Sequence, residues 1–357
     1  MKVNMFSPLQ EFLITSLLLL VVGSVALNAI SYVGEIVSIL ITSALVAFLL
    51  NYPVAKLQKF LPRGIAAALV YLGAALIVAF IGLTIVPPVL NQGRQLAVNF
   101  PDILESGGQQ LAEFQMWSEA NNLPFDVGIL QQQLSAKAQE QAQAIASTSL
   151  GLLVGTVNWL LDLILILVIA FYMLLDGERV WDSFTSIVSP KVQYVLTESL
   201  ERNLQGFISG QLLLGLFMAS ILAPAFWILR VPFFLLFAVF IGAMEVIPFI
   251  GATLGIGTVT IIVAFQNWWL ALRLLAVAIA VQQVKDNVLT PRIMGNLTGL
   301  SPVIIFTALL LGARIGGLLG VILAIPLTGV FKTIAEVLLN PELPPQTGSF
   351  FNNPIDD

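Results

Sequence analysis

The chain is organised around residues 285–332, which read KDNVLTPRIMGNLTGLSPVIIFTALLLGARIGGLLGVILAIPLTGVFK. It begins with a polar patch and then enters an apolar run, residues 301–331, in which Arg314 is the one charged residue. The arginine lies in a glycine-rich segment, Gly312-Ala-Arg-Ile-Gly316-Gly317-Leu-Leu-Gly320. Because a charge inside an apolar run of membrane-spanning length is costly, Arg314 predicts a partner or a function within the membrane.

Composition identifies the chain as an integral membrane protein. Of its 357 residues, 58% are hydrophobic and only 10% are charged, whereas soluble proteins carry about 25% charged residues. Cysteine and histidine are both absent, which argues against disulfides, most zinc and haem sites and histidine-assisted nucleophiles. The sequence also lacks a phosphate-binding loop and a large basic patch. We therefore expect no enzyme, no cofactor, no metal site and no nucleic-acid partner.

Apolar runs divide the chain into five regions. Since about 20 residues cross the hydrocarbon core, residues 1–90 contain three transmembrane helices, in runs 12–30, 33–50 and 65–90, the last closed by Pro87-Pro88. Residues 91–149 are acidic and rich in glutamine, with apolar positions at helical spacing. The remaining regions are the fourth transmembrane helix with a cytoplasmic amphipathic segment (150–206), a transport core that begins with a fifth span (207–334), and a polar tail (335–357).

The region 91–149 predicts an extracytoplasmic insert of two or three amphipathic helices. Leu123-Pro124-Phe125 supplies a break between them. We expect these helices to pack on the membrane surface or on a neighbouring subunit.

Residues 231–267 are too long for one ordinary span. A continuous helix of this length would run about 55 Å, against a hydrocarbon core of about 30 Å. Its middle reads Met244-Glu245-Val-Ile-Pro248-Phe-Ile-Gly251, which combines a helix breaker with a hinge residue. The segment therefore either tilts strongly or folds into a re-entrant hairpin with its tip at 245–251.

Basic residues in the loops favour the hairpin. The Lys56, Lys59 and Arg63 loop is placed in the cytoplasm by the positive-inside rule, and the N-terminus with it. A hairpin at 231–267 then keeps Lys285 and Arg292 cytoplasmic, and a second hairpin at 301–331 keeps the C-terminus there. The fold class is an all-α polytopic membrane protein of about six to eight transmembrane helices, with two re-entrant helical hairpins and an amphipathic helical insert. The competing layout treats both segments as long tilted spans, which gives eight crossings.

Opposed hairpins whose tips meet at the midplane are a known transporter design. Glu245 and Arg314, each the one charge of its segment, would then lie close together. The pair is either a fixed lock between the tips, or a site where Glu245 titrates or binds a cation and Arg314 holds an anion or resets the carboxylate. Candidate gating residues at the tips are Pro248, Gly251, Gly312, Gly316 and Gly317.

Three further polar residues are candidates. Asp162 lies about ten residues inside the fourth span, where it joins the charged site or serves helix packing. Asp286 and Asn287 offer oxygen ligands that suit a hard cation, although a polar loop patch explains them equally well.

Several motifs resemble one family. Four C-terminal motifs resemble the autoinducer-2 exporter (AI-2E) family of bacterial permeases: 286-DNVLTPRIMG-295 (with Pro291 and Gly295), Leu300-Ser-Pro302, the run from Gly312 to Gly320, and Ala324-Ile-Pro326-Leu. Two earlier motifs, Val246-Ile-Pro248-Phe-Ile-Gly251 and 171-FYMLLDG-177, resemble the same family. One departure is Ser301, where many relatives have histidine, so a proton role for that histidine is absent.

The resemblance implies a multi-pass permease of the bacterial inner membrane that forms a homo-oligomer, with a pentamer as one arrangement. It also implies export of a small polar solute or signalling molecule, with ion coupling. Members are associated with export of a signalling furanone, and some with exchange of sodium or lithium for protons. The alternatives are a Na⁺(Li⁺)/H⁺ antiporter and, from a different class, a non-transporting scaffold or passive pore. The expected partners are the lipid bilayer and a small polar solute, Na⁺ or H⁺.

Overall fold

The computed structural model describes residues 34–121, 151–294 and 302–339, and over these ranges the chain is helical. Ten helices are described: α1 (Gly34–Leu57), α2 (Arg63–Thr84), α3 (Val86–Ala120), α4 (Gly151–Thr185), α5 (Pro190–Ile228), α6 (Phe234–Met244), α7 (Gly251–Gln266), α8 (Trp268–Val284), α9 (Thr290–Met294) and α10 (Pro302–Leu339). A π-helical turn, Lys285–Leu289, joins α8 to α9. Five of the described helical segments are long and apolar enough to cross a membrane. The prediction of an all-α polytopic membrane protein is confirmed.

The helix that contains the third predicted span continues past Pro87-Pro88. The amide of Ile85 donates to Ile81 O at 2.8 Å and that of Val89 to Ile85 O at 3.1 Å, so α2 runs on into α3. Both prolines lie in the first turn of α3, where a missing N–H costs little. The combined segment, Arg63–Ala120, has 58 residues and a length of about 87 Å, far more than a membrane requires. The insert therefore begins as a helical extension of the third span.

Helix α3 packs on the hairpin formed by α6 and α7. Gln92 Oε1 accepts a hydrogen bond from Leu236 N at 2.9 Å, and Gln110 Nε2 donates to Phe265 O at 2.8 Å. Gly107 lies against the Phe265 ring, which leaves no room for a side chain there. The described part of the insert is thus bound to its own chain's hairpin. The predicted break at 123–125 and the rest of the insert lie outside the described residues.

Residues 231–267 form a helical hairpin, which we call hairpin 1. Helices α6 and α7 run antiparallel and are joined by residues 245–250. The arms approach closely at glycines: a methyl group at Gly251 would clash with Met244 O, and one at Gly255 would lie 3.2 Å from Ile241 Cα. The turn reverses through Phe249, whose φ is 63°. The chain reverses where the sequence predicted a tip, near Glu245–Gly251. That this hairpin re-enters the membrane stays a prediction.

Helix α10 also folds back on itself, and we call it hairpin 2. Gly316 and Gly317 have non-helical backbone angles, with Gly317 at φ 55° and ψ −135°. A methyl group at Gly312 would clash with Gly320 O and lie 3.2 Å from Ala324 Cβ. In a continuous helix, positions 312 and 320 would be about 12 Å apart along the axis. The chain therefore reverses at Gly316–Gly317.

Helix α5 carries both hairpins, one on each half. Its C-terminal half packs on hairpin 1 through Met218, Leu222 and Phe226, and Gly215 and Gly242 bring the backbones together. Its N-terminal half packs on hairpin 2 through Leu204, Phe207 and Ile208. The hairpins pack mainly on α5 rather than on each other. A separate cluster joins α1, α2 and α4.

Candidate functional site

Glu245 lies at the tip of hairpin 1, immediately after the last residue of α6. It is only 5% exposed. Its Oε2 accepts a hydrogen bond from Lys285 Nζ at 2.8 Å. Its backbone carbonyl, which has no partner within α6 because the helix ends there, accepts a hydrogen bond from Gln211 Nε2 at 2.9 Å. The tip is thus held from two sides, by α5 and by the segment after α8.

Lys285 is the first residue of the π-helical turn and is 4% exposed. Its Nζ also lies 3.1 Å from Asp286 Oδ1, so one ammonium is shared between two carboxylates. Thr290 Oγ1 donates to Lys285 O at 3.1 Å across the turn. A π-helical turn inside a long helix frequently marks a functional site, because the extra residue changes the direction of the side chains that follow.

Gln211 is the buried polar residue of α5 at this point, with 8% exposure. It lies between Ile208, which packs on hairpin 2, and Gly215, which packs on hairpin 1. Its hydrogen bond to the Glu245 carbonyl therefore fixes the tip of hairpin 1 at the boundary between the two halves of α5.

The cluster has an unbalanced charge and polar atoms without hydrogen-bond partners among the described residues. With all three groups ionised, Glu245, Asp286 and Lys285 carry a net charge of −1. Among the described residues, Glu245 Oε1 is buried and has no hydrogen-bond partner, and the same holds for Gln282 Oε1. Gln282 Nε2 donates to Asp286 Oδ2 at 3.1 Å, so this glutamine adjoins the cluster. Since buried polar atoms in folded proteins are almost always paired, the free carboxylate oxygen is suited to bind a proton, a cation or a hydrogen-bond donor.

The predicted ion pair between Glu245 and Arg314 is wrong. In the described part of the chain, the cation on the Glu245 carboxylate is Lys285, and Arg314 is exposed at the tip of hairpin 2. The physical reason is that the two hairpins occupy different halves of α5, so their tips do not form the expected pair.

The sequence did contain a signal for Lys285. Ala271, Leu274, Ala278 and Val281 form the packed stripe of α8, with spacings of three, four and three residues. Four residues further, the same stripe reaches Lys285, so helical periodicity places it on the buried face. Because Lys285 begins a polar patch, it was not among the predicted site residues.

The structure brings together only some of the predicted residues. Pro248 and Gly251 are buried in the tip beside Glu245, and Asp286 joins through Lys285. Asn287 is exposed, and its amide nitrogen donates to Gln283 O at 2.8 Å. Asp162 is exposed on α4, which packs on α1 and α2, away from the cluster.

The remaining predicted residues lie in the C-terminal third. Gly312, Gly316, Gly317 and Gly320 form the turn of hairpin 2. Pro326 is fully buried in its second arm, Pro302 begins its first arm, and Pro291 is exposed in α9. Gly295 lies outside the described residues.

Comparison with known proteins identifies the family. Residues 14–340 match the model of the AI-2E family of transporters. The chain is 40% identical to a provisionally named transport protein of Synechocystis sp., over 89% of this chain and 84% of that protein. It is 24% identical to the AI-2 transport protein TqsA of Escherichia coli (87% and 89% covered) and 24% identical to a sodium-lithium/proton antiporter of Halobacillus andaensis (84% and 89% covered). The chain belongs to the AI-2E family of transporters.

Proposed function

We propose that this membrane transporter is a secondary transporter that moves a small polar solute outward and couples this movement to an ion at Glu245. One observation carries the proposal. A buried carboxylate at a hairpin tip uses one oxygen to hold Lys285, while its other oxygen has no partner among the described residues. In membrane proteins a buried ionisable group of this kind is a candidate for an ion or substrate pathway.

The arrangement of Lys285 supplies a coupling step. A proton or cation that binds the Glu245 carboxylate competes with the Lys285 ammonium for the same charge. Asp286 Oδ1 already lies 3.1 Å from Lys285 Nζ, so the ammonium can transfer its hydrogen bonding to Asp286 without becoming unpaired. Binding at Glu245 then loosens hairpin 1 from the π-helical turn, and release of the ion restores the contact. The ion thereby shifts the equilibrium between two positions of the hairpin tip.

Both hairpins are re-entrant in this proposal and enter from opposite sides of the bacterial inner membrane, with both termini in the cytoplasm. The helical reversals at residues 245–250 and at Gly316–Gly317 support this arrangement, because broken helices line the cavities of many transporters. Residues 91–149 form the extracytoplasmic insert, and the chain assembles as a homo-oligomer in the bilayer.

A second candidate function is Na⁺(Li⁺)/H⁺ antiport, with the cations themselves as substrates. Two carboxylates that compete for one lysine favour it, since oxygen ligands suit hard cations. The antiporter relative of Halobacillus andaensis supports the same possibility. No described group of three or more acidic residues could hold a metal ion, so bound Na⁺ would need backbone or amide oxygens as well.

The test is flux of candidate solutes in proteoliposomes under an imposed pH or sodium gradient. The furanone autoinducer, related polar solutes and Na⁺ are measured in parallel. Gradient-dependent export of a solute supports the first function, and Na⁺ movement that acidifies or alkalises the lumen without any solute supports the second. A wild-type protein that moves none of them, or moves them at rates independent of both gradients, contradicts both functions and leaves the scaffold or passive pore.

A further inference from the structure

A cavity separate from the Glu245 cluster lies between α1, α4 and α5. Its volume is about 450 Å³, within the range of cavities that hold small ligands. The walls are mostly apolar, with Ala47 and Phe48 from α1, Leu174 from α4 and Leu200 from α5. A ligand that fills it must therefore have an apolar body.

The charged groups that line the cavity carry one negative charge in excess. Arg63 and Glu178 form an ion pair with each other, which neutralises both. Glu201 also lines the cavity, and it forms no ion pair among the described residues. The three residues together carry a net charge of −1, so a monovalent cation would complete the charge balance.

Trp181 offers an aromatic surface in the same cavity. Its indole Nε1 donates to Thr197 Oγ1 at 2.8 Å, and Thr197 Oγ1 donates to Gln193 O, so the edge of the ring is held in place. A fixed tryptophan face attracts a cation through the ring quadrupole, and the attraction increases when the site excludes water.

We propose that this cavity binds a small amphipathic organic cation: an apolar or aromatic body with one ammonium group. The body contacts Phe48, Leu174 and Leu200, and the ammonium lies between the Trp181 ring and the Glu201 carboxylate. The cavity adjoins hairpin 2, since Phe48 and Leu200 also pack against the apolar cluster that joins α5 to this hairpin. The inference concerns binding and does not depend on the proposed coupling at Glu245.

The probe is radiolabelled benzyltrimethylammonium, measured by equilibrium dialysis against the full-length protein in detergent. Benzyl alcohol and benzoate have the same ring with no charge and with a negative charge. We expect saturable binding of the cation, weaker binding of the alcohol and none of benzoate. Glu201→Gln should weaken cation binding about tenfold, which corresponds to about 1.4 kcal/mol.

The controls separate the cavity from the rest of the surface. Glu113→Gln removes an exposed acidic residue on α3, away from the cavity lining, and should bind like the wild type. Trp181→Leu should weaken cation binding and leave binding of benzyl alcohol less affected. The proposal is overturned if the wild type does not bind the cation, if Glu201→Gln binds it as tightly as the wild type does, or if benzoate binds equally well.

Discussion

At the residue scale, the candidate site depends on one ammonium that serves two unequal carboxylates. The Glu245 side chain is 6% exposed and the Asp286 side chain is 47% exposed, while Lys285 Nζ lies within 3.1 Å of both. The buried contact is costly to break because burial shields the Glu245 carboxylate from solvent that could replace the lysine. The exposed contact is inexpensive to break. Lys285 can therefore move fully to Asp286 once its contact with Glu245 is broken. A competing ion that binds the Glu245 carboxylate would compensate for the loss of that contact.

This inequality predicts different costs for the two single substitutions. Lys285→Gln leaves the Glu245 carboxylate buried beside a neutral group, so the free energy of unfolding should fall by about 3–5 kcal/mol. Glu245→Gln should cost less, because Asp286 still neutralises Lys285. The measurement is reversible unfolding of the detergent-solubilised variants.

The double variant Glu245→Gln/Lys285→Gln is the control for that comparison. It removes both charges, so it should recover most of the stability that Lys285→Gln loses. Additive losses in the double variant, or a larger loss in Glu245→Gln than in Lys285→Gln, would contradict the charge-sharing description.

At the element scale, two helical hairpins define the molecule. Both were predictable, because each segment is too long for one span and contains its own breakers, Pro248 with Gly251 and Gly316 with Gly317. Their packing on α5 was not predictable, since both arms of each hairpin are apolar on most sides and hydropathy does not distinguish a packed face from a lipid-facing one. For the same reason the partner of Glu245 was misassigned to Arg314, although the stripe that leads to Lys285 was present in the sequence.

Hairpin 2 provides a matched pair of glycines for testing its turn. Gly317 has φ 55°, where a side chain is strained, whereas Gly316 has φ −128°, and neither has an atom within 4 Å of an added Cβ. Gly317→Ala should therefore lower the free energy of unfolding by about 1–3 kcal/mol through the backbone alone. Gly316→Ala should change it by less than about 0.5 kcal/mol. Thermal unfolding in detergent compares the two, and equal effects would show that the chain does not turn at Gly317 as described.

The re-entrant topology of hairpin 1 is testable because the chain contains no cysteine. Single substitutions Arg230→Cys and Trp268→Cys place a thiol at each end of the hairpin, and both positions are exposed. A membrane-impermeant maleimide added to intact cells should label both from the extracytoplasmic side. Labelling of one from outside and of the other only after lysis would show that residues 231–267 cross the membrane.

At the scale of the whole molecule, α5 is the common support of the two hairpins. Hairpin 1 packs on its C-terminal half and hairpin 2 on its N-terminal half, and Gln211 binds the tip of hairpin 1 between them. In the proposed mechanism, a shift of one hairpin would act on the other through this single helix. The long α2–α3 helix adds a second support, because its extension beyond the span contacts both arms of hairpin 1. In the proposed mechanism, an ion that binds Glu245 would act on hairpin 1, the element that both supports contact.

The most direct test of this account is gradient-driven flux in proteoliposomes that contain the Glu245→Gln variant. The transported substrate of the wild type is used, under the gradient that drives it, with Glu113→Gln as the matched control on the exposed face of α3. We expect Glu245→Gln to be assembled and inserted like the wild type, but its flux should no longer respond to the gradient, whereas Glu113→Gln should keep the full response. A Glu245→Gln protein with unchanged gradient-driven flux would contradict the assignment of Glu245 as the coupling site.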